Sequence, residues 1–95
     1  KSPHVKLLAD TFHMNIEESD LIGALVLAGE LLEHLHFADS NRCAPGMGHI
    51  NFNQIVKILK QMNYQGWVSG EILPEPDDIT AASIWMRNVR PMLLD

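Results

Sequence analysis

Hydrophobic and polar positions follow two rhythms along this chain, and their alternation predicts a strand and a helix repeated three times. Val5-Lys6-Leu7-Leu8-Ala9 is a short apolar run of strand length that follows a proline and ends at Asp10. From Ser19 the rhythm changes. Ser19 is placed to cap a helix in which Leu21, Ile22, Leu25, Val26 and Ala28 recur at helical spacing. Leu31 to Ala38 then reads as a second strand, with His34, His36 and Ala38 on one face and Leu35 and Phe37 on the other. A loop rich in Asn, Pro and Gly runs from Asp39 to His49. Asn51 caps the next helix, whose Phe52, Ile55, Val56, Leu59 and Met62 form an apolar stripe, and Gly66 is expected to stop it. Trp67 to Ile72 makes a third strand, broken by Pro74 and Pro76. Asp77 or Asp78 caps a last helix that runs to about Arg90, where Pro91 discourages continuation.

Strands separated by single helices pair in parallel, because a parallel crossover needs a dozen or more residues. The fold class is therefore α/β, with three βα units of a parallel sheet. A doubly wound sheet and a barrel both accommodate that order. No repeat, low-complexity tract or charge run marks a linker, so residues 1–95 read as belonging to one domain.

Composition narrows the function classes. A chain that is 46% hydrophobic and 20% charged describes ordinary soluble-domain material. Seven basic against 12 acidic side chains give a formal charge of -5, with no basic cluster, so no nucleic-acid partner is expected. The single cysteine, Cys43, excludes an internal disulfide framework and a cysteine-built zinc site. The longest apolar run, Leu21 to Leu27, is interrupted by Gly23 and falls far short of the ~20 residues that a membrane span requires. No signal-like region follows Lys1, so a cytoplasmic setting without a membrane partner is expected. The abrupt entry into an apolar strand raises the expectation that the chain is part of something longer.

Chemistry in parallel α/β folds gathers at the carboxyl ends of the strands. Here each of those ends carries a group able to bind a metal or move a proton: Asp10 and His13 on the first, His34 and His36 on the second, Glu71 on the third. Two carboxylates and an imidazole together suit a divalent ion such as manganese. Each residue also has a plainer reading. Asp10 would cap a turn, His13 alone is more often a satisfied loop histidine, and His34 and His36 would be packed polar residues. Glu71 is harder to dismiss, since a glutamate inside a strand is costly to bury without a partner. Arg42 reads as a solvated loop residue or as an anion or hydroxyl clamp, with Asp39 near enough in sequence to orient it. Trp67 and Trp85 read as packing residues, and Cys43 is not expected to be a nucleophile.

Three strings in this chain match one known family. Leu8-Ala9-Asp10-Thr11-Phe12-His13-Met14-Asn15-Ile16-Glu17-Glu18 resembles the sixth-strand motif of the ketose 3-epimerases, the D-tagatose and D-psicose (D-allulose) 3-epimerase group. That group belongs to the xylose-isomerase-like sugar isomerase/epimerase superfamily. His36-Phe37-Ala38-Asp39-Ser40-Asn41-Arg42-Cys43-Ala44-Pro45-Gly46-Met47-Gly48-His49-Ile50 resembles its next strand and loop, with their PGxG turn. Tyr64-Gln65-Gly66-Trp67 leading to Glu71 is similar to its last strand, although Asn63 stands where that approach usually has glycine.

The resemblance implies the last three βα units of a (β/α)8 TIM barrel. It also implies Asp10, His36 and Glu71 as metal ligands, with Mn2+ the expected ion and Co2+ or Mg2+ as alternatives. His13 and Arg42 would bind a ketose substrate, and Glu71 would be one of two catalytic acid/base carboxylates. The family's other carboxylate comes from the strand before this stretch, so these residues alone are expected to be inactive. A hydroxypyruvate-isomerase-like or inositol-catabolism isomerase is the competing enzyme class, and a non-catalytic α/β module the competing non-enzyme. Unpaired parallel edges lead to the further expectation of a homo-oligomer.

Overall fold

The computed structural model describes residues 6–94. Three strands, β1 (Leu7–Asp10), β2 (Leu32–Phe37) and β3 (Trp67–Gly70), form one sheet in the order β1-β2-β3. Both pairings are parallel, and Asp10, His36 and Ser69 stand side by side across the sheet. Between and after the strands lie α1 (Thr11–Glu17), α2 (Leu21–Ala28), α3 (Phe52–Gln61) and α4 (Asp78–Leu94), with a short 3-10 turn at Gly29–Leu31. This is the expected α/β order: a three-stranded portion of a parallel sheet. The start of the first expected strand, Val5, lies outside the described residues.

Period-two alternation divides the sheet into two faces with different fates. On one face Leu35 and Phe37 are fully buried beneath α3 and α4, where Phe52, Ile55, Val56, Leu59 and Val89 complete the core. The Phe37 and Phe52 rings meet at 5.1 Å between centroids. Trp85 of α4 packs on the same core and donates its indole N–H to the Phe37 carbonyl at 2.9 Å. Its packing role is thus as expected. The opposite face carries His34, His36 and Ser69. Trp67 sits in register with His34 on that polar face and is 73% exposed, so it does not pack as expected.

All four helices depart in some way from the sequence expectation, each for a local reason. Thr11 to Glu17, where the sequence reading placed no helix, forms α1, because the Asp10 carboxylate accepts from the His13 N–H and caps it. Helix α2 is capped by Asp20 rather than Ser19, with the Gly23 N–H donating to Asp20 Oδ1 at 2.9 Å. Helix α3 is capped by Asn51 as expected, but Asn63, not Gly66, turns the chain after it by adopting φ 56°. Helix α4 continues through Pro91 to Leu94, its last turn held by Met92 against the core. Among the described residues no helix is long and apolar enough to cross a membrane.

Reassigning the α2 cap has a measurable consequence. In the full-length protein, Asp20→Ala should cost about 1 kcal/mol in a denaturant melt, whereas Ser19→Ala should cost almost nothing. Equal losses would return the cap to Ser19.

Candidate active site

The site is assembled where the strands end. Asp10 is the last residue of β1 and is buried, its carboxylate shared between the α1 N-terminus and the polar face. His36 is its neighbour across the ladder, and His36 Nδ1 lies 3.7 Å from Asp10 Oδ2. Glu71 was expected inside β3, but the ladder stops at Gly70 opposite the last residue of β2. Glu71 therefore sits just past the strand with its side chain 55% exposed, and the burial cost invoked for it does not arise. It still reaches the same place: Glu71 Oε2 is 3.9 Å from His36 Nδ1.

Arg42 comes to these groups from the loop after β2. Its Nη2 lies 3.9 Å from Asp10 Oδ2 and 4.0 Å from Glu71 Oε1, and its Nη1 donates to His13 Nε2 at 3.0 Å. Arginine carries only donors, so His13 Nε2 is the acceptor of this contact. Phe12 underlies the guanidinium at 4.9 Å from ring centroid to Cζ and meets His13 edge-on. Arg42 has φ 64°, a left-handed conformation that a non-glycine residue holds at a cost of about 1 kcal/mol or more. Two backbone hydrogen bonds fix it there: Arg42 N–H to the Asp39 carbonyl and Leu73 N–H to the Arg42 carbonyl. The second of these ties the loop after β2 to the segment after β3, and so ties Arg42 to Glu71.

Asp39 does not orient the Arg42 guanidinium, as its proximity in sequence suggested. Its fully buried carboxylate is the hub of the loop, accepting from the N–H groups of Ser40, Gly46 and Ile50 at 2.7, 2.8 and 3.0 Å. Burial is the largest single influence on this group and would push its pKa up. The N–H groups of Ile50, Ser40, Gly46 and Gly48 outweigh it, and the carboxyl is held below the usual 3.8. The Pro45-Gly46-Met47-Gly48 turn exists for this carboxylate. Gly46 has φ 100°, and a Cβ on Gly48 would collide with Ser40 Oγ and Asp39 Oδ1.

Of the residues singled out at the strand ends, Asp10, His13, His36 and Glu71 belong to one cluster, which the loop residue Arg42 joins. His34 stands one layer beneath, with its Nε2 2.8 Å from Ser69 Oγ and its ring edge-on to His36 at 4.8 Å. Cys43 is a half-buried free thiol. Phe12 was missed as a site-builder, and Asp39, expected to orient Arg42, organises its own loop instead. A carboxylate followed by a glycine-rich loop was the signal for that role.

Carboxylate, imidazole and carboxylate are the right donor types for a hard divalent cation, and the distances of 3.7 and 3.9 Å about His36 Nδ1 bring them to one point. As the side chains stand, however, no group of three or more His, Cys, Asp or Glu among the described residues is arranged to hold a metal ion. The Arg42 guanidinium lies against both carboxylates instead.

Residues 1–89 match the family described as the xylose isomerase-like TIM barrel. The chain is 48% identical over 65 residues to a D-psicose 3-epimerase of Enterocloster bolteae, covering 68% of this chain and 22% of that one. It is 45% identical over 65 residues to a 3-dehydro-D-guloside 4-epimerase of Escherichia coli, covering 68% and 25% respectively. Among solved structures, an L-ribulose 3-epimerase superposes with a TM-score of 0.85 at 28% identity, over 97% of this chain and 37% of that one. The chain therefore spans about a quarter of the length of these curated relatives.

The low pKa of Asp39 fixes a sign for acid stability. A carboxyl whose folded value lies below its unfolded value contributes stability that is fully present above 3.8 and is lost as pH falls through the lowered folded value. Asp39→Asn in the full-length protein should cost about 2 kcal/mol at neutral pH. That gap should narrow in melts taken below 3.8. A gap unchanged from neutral to strongly acid pH would mean that the charge of Asp39 does not hold the loop.

Proposed function

The chain belongs to the xylose isomerase-like TIM barrel family, and we propose that the protein carrying it is a divalent-metal-dependent ketose 3-epimerase. The observation that most supports this reading is the convergence of Asp10, His36, Glu71, His13 and Arg42 at the carboxyl end of three parallel strands. In this reading Asp10, His36 and Glu71 hold the metal, Mn2+ in preference to Co2+ or Mg2+. When bound, the ion polarises the ketose carbonyl and makes the neighbouring C–H more acidic.

The chain's own residues do the rest. Glu71 is exposed on the polar face, where its carboxylate takes the proton from carbon 3 of the ketose or returns it there. Arg42, braced by Phe12 and His13, presents donors to the substrate oxygens and fixes the sugar relative to Glu71. Inversion at one carbon needs a second acid/base group on the opposite face of the sugar, and the family resemblance assigns that role to a glutamate on the preceding strand. In isolation these residues would expose Leu8, Trp67 and two unpaired strand edges, and self-association is part of the reading.

The loops favour an unphosphorylated sugar. TIM barrels that bind phosphate commonly do so with backbone N–H groups after their last two strands. Here the N–H groups of Ser40, Gly46 and Ile50 are occupied by the Asp39 carboxylate. After β3, Pro74 and Pro76 have no N–H to offer, and those of Ile79 and Thr80 donate to Asp78 and Asp77. A phosphate at these turns would meet the carboxylates of Asp39, Asp77 and Asp78.

Both parts are tested on the full-length protein with Mn2+. Free ketoses should be epimerised at least tenfold more efficiently than their phosphate esters, and Glu71→Gln should lower kcat by 10²-fold or more while melting like the unmutated protein. Glu71→Gln with full activity would remove Glu71 from proton transfer. A preference for phosphate esters would overturn the reading of the loops.

A further inference from the structure

We infer that Thr11 is a positioning residue that sets the spacing between Asp10 and His36, an inference that rests on the metal-dependent reading above. The ladder between β1 and β2 ends at the pair Asp10–His36. Immediately beyond it the chain turns away into α1, so no further backbone pairing secures the end of β1 against β2. Thr11 fills that gap from the side chain. It is fully buried, and its hydroxyl donates to the Ala38 carbonyl at 2.7 Å while accepting from the Ala38 N–H at 2.9 Å. The His36 carbonyl lies 3.3 Å from the same oxygen.

One hydroxyl, with a single proton and two lone pairs, thereby satisfies both polar groups of Ala38, as a partner strand would have done. Ala38 is itself fully buried, so water cannot substitute. The two residues joined this way follow directly after Asp10 and Phe37, and the clasp therefore sits one residue above Asp10 and two above His36. Branching at Cβ limits the rotamers of Thr11, which makes the clasp stiff. Thr11 contacts no substrate in this scheme. It acts through the two residues whose relative position it fixes.

The test uses the full-length protein freed of metal, titrated calorimetrically with Mn2+ alone and assayed in parallel for kcat and KM on a free ketose. Thr11→Val keeps the shape and removes the hydroxyl, whereas Thr11→Ser keeps the hydroxyl and removes the methyl. Thr11→Val should weaken Mn2+ binding by about tenfold or more, the usual effect of losing a partner behind a metal ligand. It should also lower kcat more than it raises KM. Thr11→Ser should stay within about twofold of the unmutated protein in Mn2+ affinity, even if it melts earlier. Should Thr11→Val fail to fold, Thr11→Cys, similar in size but a weak hydrogen-bond partner, is held to the same threshold.

A Thr11→Val protein that melts earlier but binds Mn2+ normally would make Thr11 a structural residue and overturn the inference alone. Unmutated protein that binds no Mn2+ would overturn both the metal-dependent reading and the inference built on it.

Discussion

The register of three parallel strands is the constraint on which everything else in this structure depends. Parallel pairing places Asp10, His36 and Ser69 side by side, with Glu71 following two residues beyond Ser69. Residues two apart on a strand share a face, so the polar groups gather on one side. The apolar ones, Leu35 and Phe37, fall on the side covered by α3 and α4. A slip of one residue would bury His34 and His36 beneath the helices and lift Phe37 into the site, at a cost no core this small would withstand. The same period that makes the core also makes the site.

Register alone does not hold the loops, and there the structure relies on charge. The buried Asp39 carboxylate gathers the backbone N–H groups of its own loop, while backbone hydrogen bonds to the Asp39 carbonyl and from the Leu73 N–H hold Arg42 in its left-handed conformation, facing Asp10 and Glu71. Loop residues near an active site are often held this way, with the strain of one position offset by hydrogen bonds at its neighbours. The glycines of the Pro45-Gly46-Met47-Gly48 turn are explained by the same carboxylate, one through φ and the other through close approach.

The three strands, their parallel pairing and the polar residues at their ends were legible in the sequence, because strand periodicity and the placement of His, Asp and Glu at strand ends are local signals. What was not legible depended on tertiary partners. Helix α1 was hidden because Asp10 ends a strand and caps a helix at once. Glu71 fell outside β3 because the length of β2, not the sequence around Glu71, determines where the ladder stops. Pro91 failed to end α4 because Met92 finds the core one position later. Trp67 looked like core and is exposed, since it lies on the polar face beside His34 rather than under the helices.

The most direct measurement is proton NMR of a free ketose incubated in deuterium oxide with the full-length protein and Mn2+. Proton transfer through Glu71 and an opposed carboxylate predicts deuterium entering at carbon 3 as the epimer forms, with the other carbon-bound protons retained. A folded, Mn2+-bound protein that leaves the carbon 3 proton untouched would contradict it.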